Sequence, residues 1–520
     1  MTIGTAKRQR ASERAGHTGF ARVLHAEWTK LRTVRGWMIS VLVAALVTVL
    51  LGLLASLATH GFCTPVPGQV CGGGPPTGPG GEPVTDSYYF VYQPLTGNGS
   101  ITVRVTSMTG LITYPEAHPD SIVPGVEPWA KAGVLIEPST RQGTAYAAVM
   151  ATGSHGVRMQ YNYTHDVAGL PGTVSAASPR WLRLTRSRDM LTGYQSADGR
   201  HWAQISAVKL PGLPATVQAG LFVASPEDTF VPPGIFSGFT SHLTRVTAVF
   251  DHLSLQGKAP GGAWIRDYVG GVPGGPALAQ GRFAESGGRL TVSGTGDIAP
   301  STIGARPVED TLRGEFAGLI VVIVVGTMFV TAEYRRGLIR TTLAASPRRG
   351  RVLLAKAIVI GSVSFAAGLA GAAAVIPLGE HVLRSNGVRL YPASTLSELR
   401  VIAGTGALFA VTAILALGVG AVARRSAGAV AAVIAAIVLP YLLAISNVMP
   451  LGAAQWLLRI TPAAGLAIQQ TLLQYPQVSG AYSPGNGFYP LAPWAGFAVL
   501  CGYAALALIL AAFLLRSRDA

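Results

Sequence analysis

The chain is poor in charge. Only 12% of its 520 residues are Asp, Glu, Lys or Arg, about half the ~25% of a soluble globular protein. With 49% hydrophobic residues, that shortage excludes an ordinary soluble domain and predicts an integral membrane protein. Acids are the scarcer sign, 24 against 40 Lys and Arg for a net charge of +16. The excess does not point to nucleic acid, because Glu82 to Asp310 holds 16 Lys/Arg against 17 Asp/Glu and is nearly neutral. It lies instead in the N-terminus (Lys7, Arg8, Arg10, Arg14, Arg22, Lys30, Arg32, Arg35), around Arg335 to Arg351, at Arg424 and Arg425, and at Arg516 and Arg518. Short basic segments beside apolar runs mark the cytoplasmic side of a membrane.

Motifs for chemistry are scarce as well. No GxxxxGK[ST] occurs, so a phosphate-cradling loop is missing and any ATP must be hydrolysed by another polypeptide. The histidines, among them His155, His165, His201, His242 and His252, have no ligand spacing, so neither a metal nor a cofactor is expected. Glycoside cleavage needs two carboxylates flanking the bond, yet Glu137 stands alone beside Pro138 and Glu227-Asp228 lies in a Pro-flanked turn. An enzyme is therefore not expected. Apart from Lys356, the apolar runs hold almost no ionisable residue, which disfavours an ion relay. Of three cysteines, Cys501 lies in the last apolar run, while Cys63 and Cys71 follow the first in a Gly/Pro-rich stretch. Those two are candidates for a disulfide outside the membrane, with unpaired thiols as the alternative.

The apolar runs themselves give the organisation. Residues 1–18 are polar and basic and are expected to stay disordered. In residues 19–36, Phe20, Leu24, Trp28 and Leu31 recur at helical spacing while Arg22, Glu27, Lys30 and Arg32 fall elsewhere, predicting an amphipathic helix in the inner interface. Spans are predicted at 37–58, 316–334, 352–378, 401–423, 427–445 and 491–515, each near the ~20 residues that a bilayer core requires. The first is too long for the apolar core of a signal peptide, about 7 to 15 residues. The stretch 450–474, broken by Pro450 and Pro462, is expected to form short helices at the outer interface or half-entering the membrane. Six spans put both termini in the cytosol and the residues after the first span outside.

After a Gly/Pro linker at 59–86, the period changes to two. Ile101, Val103 and Val105 alternate with polar residues, as do Val157, Met159 and Tyr161, which is the pattern of half-buried strands. Further strand candidates lie near Tyr89, Leu135 and Ala148, from Trp181, Val217 and Phe250, with Asp198-Gly199 as a hairpin turn. Residues 87–312 are thus expected to form an antiparallel β-sandwich. The fold class is membrane α-helical, with six spans, plus an all-β ectodomain between the first two. Trp129, Tyr161, Tyr163, Trp181, Tyr194 and Trp202 offer flat faces for sugar, although strand aromatics are more often core.

Two segments resemble known families. TAEYRRGLIRTTLAASPRRGRVLLAKA, Thr331 to Ala357, resembles the loop between the second and third spans of type-2 ATP-binding-cassette (ABC) permeases, and HAEWTKLRT, His25 to Thr33, resembles the segment opening many actinobacterial permeases of that family. The resemblance implies a coupling loop at 333–351 that presses on a separate ATPase subunit, through Glu333, Tyr334, Arg335, Arg336, Gly337, Leu338, Ile339 and Arg340. Arg335, Arg336 and Arg340 would meet acidic groups there, with Leu338 and Ile339 in its groove; arginines that only set topology are the alternative. It also implies an exporter of an amphipathic or apolar substrate in a bacterial plasma membrane, built as a homodimer or as a heterodimer with a similar permease. PRWLRLTRSRDMLTGYQSADGRHWAQI, Pro179 to Ile205, resembles concanavalin A-like lectin/glucanase jelly rolls. In a bacterial branch of unknown function that this run resembles most, a strand like GRLTVSGTGDIAP comes first; here it stands at Gly288 to Pro300, so a permuted sandwich closed by its own C-terminal strand is expected. The alternative function is a membrane-anchored protein that binds or senses glycan through this ectodomain.

Overall fold

The computed structural model describes residues 19–61, 75–114, 121–230, 240–258, 262–271, 280–301, 304–335, 337, 348–478 and 482–517. Cys63, Cys71, Arg336, Leu338, Ile339 and Arg340 lie outside the described residues.

Among the described residues, six helices are long and apolar enough to cross a membrane. A shorter helix, α1 (residues 19–33), precedes them and bends at Val34 into α2 (Arg35–Ala58). The others are α3 (Glu315–Arg335), α4 (Arg349–Ser385), α5 (Thr395–Ala423), α6 (Ser426–Ile445) and, after the short α7 (Leu451–Ile460), α8 (Pro493–Ser517). α4 and α5 run well past the apolar stretches at 352–378 and 401–423, because apolar composition marks hydrocarbon thickness and not the end of the backbone ladder. The start of α5 is fixed by a cap, in which the Ser394 hydroxyl accepts from the Ser397 amide.

α3, α4 and α5 form the centre of the bundle, whereas α2 and α8 are mostly exposed. Their outward faces carry Leu42, Leu46, Leu50, Leu54, Leu506, Ile509 and Phe513, a surface that needs an apolar surrounding. Close approach at the centre depends on glycine. A Cβ on Gly404 would meet Ile468 at 2.7 Å, and one on Gly418 would meet Ala507 at 2.9 Å. The 3-10 segment Pro462–Gln469 is buried at all eight positions, against α5 and α8. The proline-broken stretch thus includes a segment packed within the bundle.

Between α2 and α3 stands a large antiparallel β-domain. Its spine is one strand of 26 residues, Tyr88–Thr113. The first half, Tyr89 to Thr96, lies between Thr216–Ala224 and Ile265–Val269, and one layer continues through Lys131–Glu137, Ala147–Thr152, Val157–Tyr161 and His165–Ala168. The second half pairs with Arg180–Ser187 and Thr244–Lys258, and that layer extends to Met190–Ser196 and Ala203–Lys209 on one side. On the other side it extends to Arg289–Gly294 and Arg282–Ser286. Leu290 to Ser293 is therefore paired within the sheet, and Ile298–Pro300 pairs with Val84–Asp86.

Val91, Val134, Val149 and Leu221 of the first layer meet Ile101, Val103, Leu182, Leu184 and Phe250 of the second in one core. This makes a jelly-roll-like sandwich. The first layer is buried on its other face too, by Tyr88, Phe90, Tyr146, Tyr163, Phe222 and Ile298. That is why Lys131–Glu137 is buried along its whole length. The Asp198-Gly199 turn forms as the spacing predicts: the Asp198 carboxylate accepts from the Arg200 and His201 amides, and Gly199 has φ 75°.

The β-domain is joined to the helices at several points. Within the helical part itself, the Asn386 side-chain amide after α4 donates to the Ser56 and Thr59 carbonyls, finishing α2. Ala305–Arg306 runs parallel to Arg389–Leu390, the Tyr391 hydroxyl donates to the Ser301 carbonyl, and the Gln477 side chain donates to the Tyr163 carbonyl.

Candidate functional site

The sequence-predicted site surrounds the connection from α3 to α4, at the bundle end away from the β-domain. α1 reaches it through one face on which Phe20 and Leu24 are half-buried and Glu27 and Leu31 are buried, at 1% and 0% exposure. Trp28, assigned to this face in the sequence, is 40% exposed. Positions 27 and 28 fit helical spacing equally well from Leu24; the choice is made by what stands opposite Glu27.

Lys356 stands there, 1% exposed on the second turn of α4. Its Nζ lies 2.7 Å from Glu27 Oε2 and 2.6 Å from Glu333 Oε1 on the last turn of α3. Lys30 closes the group at 3.0 Å from Glu27 and 3.2 Å from Glu333. Two ammonium groups and two carboxylates thus form a neutral cluster tying α1, α3 and α4. An unpaired charge at this depth would cost several kcal/mol, of order 3–5. Phe329 adds its ring face, 4.8 Å from Lys356 Nζ.

Glu333 is therefore turned into the bundle. The neighbouring positions spread the connection outward. The Arg424 guanidinium lies 5.3 Å from the Tyr334 ring, and Arg335 donates to the Ser426 hydroxyl at 3.2 Å. Gly337, at φ 66°, donates back to the Tyr334 carbonyl and finishes the helix. On the far side of the connection, Arg349 donates to the Leu515 carbonyl of α8.

Sequence reasoning misses this cluster. Its signal is Lys356 itself: a lone ammonium in an apolar run requires a carboxylate from another helix, and Glu27 and Glu333 are the acids next to the neighbouring runs at the same, basic end, whereas Glu315 and Glu380 stand at the opposite ends of theirs.

In the β-domain, chemistry-bearing groups meet across strands but stay covered. Glu137 accepts from the Tyr88 hydroxyl at 2.8 Å, and Asp86 from the Tyr163 hydroxyl at 2.7 Å and the Gly143 amide. Burial raises both carboxyls above their ordinary range, Glu137 well above it. Lys131 and Asp297 pair beneath the same face. Of the aromatic candidates for sugar stacking, Trp129 is buried and stacked on His155 at 3.8 Å, Tyr163 is buried, and Trp202 is covered by the Arg183 guanidinium at 3.8 Å. Among the described residues no group of three metal-ligating side chains occurs.

No family model and no curated protein matches the chain. Among solved structures, it is similar to a functionally unknown protein from Saccharomyces cerevisiae at 14% identity and TM-score 0.20, over 34% of this chain and 76% of that one. It is also similar to a scytalido-glutamic peptidase solved with a transition-state-analogue inhibitor, at 8% identity and TM-score 0.24, over 40% of this chain and 98% of that one. Likenesses at this level carry no argument about activity, so the site rests on its own geometry: an ionic cluster and a connection fastened to the surrounding helices.

Proposed function

We propose that the chain is the membrane-spanning permease subunit of an ABC transporter, an exporter of an amphipathic or apolar substrate driven by a separate ATPase. In this reading the basic end of the bundle faces the cytosol, with both termini, and the β-domain stands outside. The observation that carries it is how the α3 to α4 connection is fastened. From Glu333 to Arg349 its two ends hold α1, α4, the α5–α6 turn and α8 through charged or hydrogen-bonded side chains. Force applied to that connection reaches most of the bundle, which a mere anchor would not require.

ATP-driven closure of the ATPases would press on the connection and shift α3 and α4 against α1 and α5. Two arrangements of packed helices, not bond chemistry, would then alternate access. Two permease copies, alike or similar, would enclose the path. For the glycan-sensing alternative, Trp129 and Tyr163 are buried, while Tyr161, Trp181, Tyr194 and Trp202 are half-buried.

The test is purification of the full chain from its own membranes in mild detergent, with assay for a stoichiometric ATP-hydrolysing partner. Reversal of Arg335 and Arg336 to Glu should abolish that association. A chain that purifies without an ATPase, or a reversed variant that retains it, refutes the assignment.

A further inference from the structure

Beside the ionic cluster is a second charged feature, at the C-terminal end of the proposed coupling loop. The first turn of α4 and the last turn of α8 enclose an open cleft of about 480 Å³, lined by Arg348, Arg349, Gly350, Arg351, Leu354 and Arg516. Four guanidinium groups share it and, among the described residues, no carboxylate lines it. Arg349 is engaged with the Leu515 carbonyl, which fastens the two helices. Arg348, Arg351 and Arg516 form no ion pair among the described residues. Gly350 leaves the floor open, since a Cβ there would find only the Arg516 guanidinium, at 3.9 Å.

Concentrated positive charge of this kind is self-repelling unless an anion occupies it, and planar guanidinium groups match phosphate oxygens two at a time. What lies next to the arginines decides which anion. Leu354 is three residues into α4 from Arg351 and 51% exposed; Phe513 is three residues before Arg516 in α8 and 64% exposed. Residues three apart share a helix face. Each arginine group is thus followed, toward the middle of the bundle, by a bare apolar side chain. Leu354 and Phe513 fall within the candidate spans while the arginines stand at their ends, so the cleft lies where the phosphate of a phospholipid meets its acyl chains.

We propose that this cleft is a binding site for one anionic phospholipid, its phosphate held by Arg348, Arg351 and Arg516 and an acyl chain lying along Leu354 and Phe513. Basic recesses between helices at the cytoplasmic boundary are suited to such headgroups. The site rests on the helices spanning a membrane and not on the coupling to an ATPase, so failure to find an ATPase leaves its readout intact.

The test uses the full chain in nanodiscs of phosphatidylcholine doped with phosphatidylglycerol, with retained lipid counted by native mass spectrometry. One phosphatidylglycerol per chain should survive conditions that strip phosphatidylcholine, and glycerol 3-phosphate at equal concentration should not displace it. The triple variant Arg348→Gln, Arg351→Gln, Arg516→Gln should weaken retention roughly a hundredfold, about fivefold for each basic group. Arg349 is left in place because it holds α8. Equal retention of the two lipids, full displacement by glycerol 3-phosphate, or unchanged retention in the triple variant would each overturn the proposal. Should the triple variant fail to insert, Arg516→Gln alone must lower retention about fivefold, and no change there overturns it equally.

Discussion

Replacing Lys356 by Met tests whether the buried cluster holds the bundle together. The wild-type group is neutral, with Lys356 and Lys30 against Glu27 and Glu333. Lys356 makes the two shortest ion pairs of the cluster, 2.7 and 2.6 Å, and its side chain and that of Glu27 are each 2% exposed. Without it, two carboxylates share Lys30, whose side chain is 42% exposed and whose attraction is weakened by solvent. One buried negative charge is left over, a loss of about 3–5 kcal/mol, and the Phe329 ring no longer faces a cation. Adding Glu27→Gln restores neutrality, with Lys30 facing Glu333 alone. Replacing a buried ion pair by groups of similar volume is often close to neutral, so the double variant should be more stable than Lys356→Met by about 2 kcal/mol or more. The assay is thermal unfolding of the full chain in one detergent at a single scan rate, because such proteins unfold irreversibly and midpoints depend on rate. The expected order is wild type, then the double variant, then Lys356→Met. Losses that simply add in the double variant would show no coupling between the two side chains and would refute the cluster.

Two further predictions concern the β-domain. Glu137 is buried beside Tyr88 and Asp86, so its folded pKa is raised well above the ordinary 4.5. The folded state then binds the proton more tightly, and the domain loses stability as pH rises above about 4.5; Glu137→Gln has no such loss. The variant should therefore match wild type near pH 4.5 and exceed it at pH 7 in thermal or denaturant unfolding, and parallel pH profiles would contradict the burial argument. Gly133→Ala would place a Cβ 2.6 Å from the Met150 Cα on the paired strand, which should lower β-domain stability by about 1–3 kcal/mol. An unchanged unfolding midpoint would show that the strands can separate at no cost.

Periodicity makes most of the elements legible, and long-range pairing accounts for what it misses. Alternation at Ile101, Val103 and Val105 marks buried positions, each 0% exposed in the structure. Tyr89 and Ile101, however, look like parts of separate strands in the sequence, because Pro94 and Gly97-Asn98-Gly99 resemble a break. The chain continues through them as one strand that changes layers, with Gly97 at φ 71°. Nothing local distinguishes a strand that ends from one that bends, since the difference lies in partners such as Arg180–Ser187 and Thr216–Ala224.

The same limit explains the site. Spacing places Glu27 on the polar side of α1 because hydrophobicity is the only local criterion for facing inward. Its true partner, Lys356, is 329 residues away. A charge rule does better here than a hydrophobicity rule: within an apolar bundle, an ammonium and a carboxylate are more costly apart than together. Each isolated charge in a predicted span therefore names the partner it must find. Applied to Lys356, that requirement selects Glu27 and Glu333, and with them the packing of α1, α3 and α4 on which the proposed coupling depends.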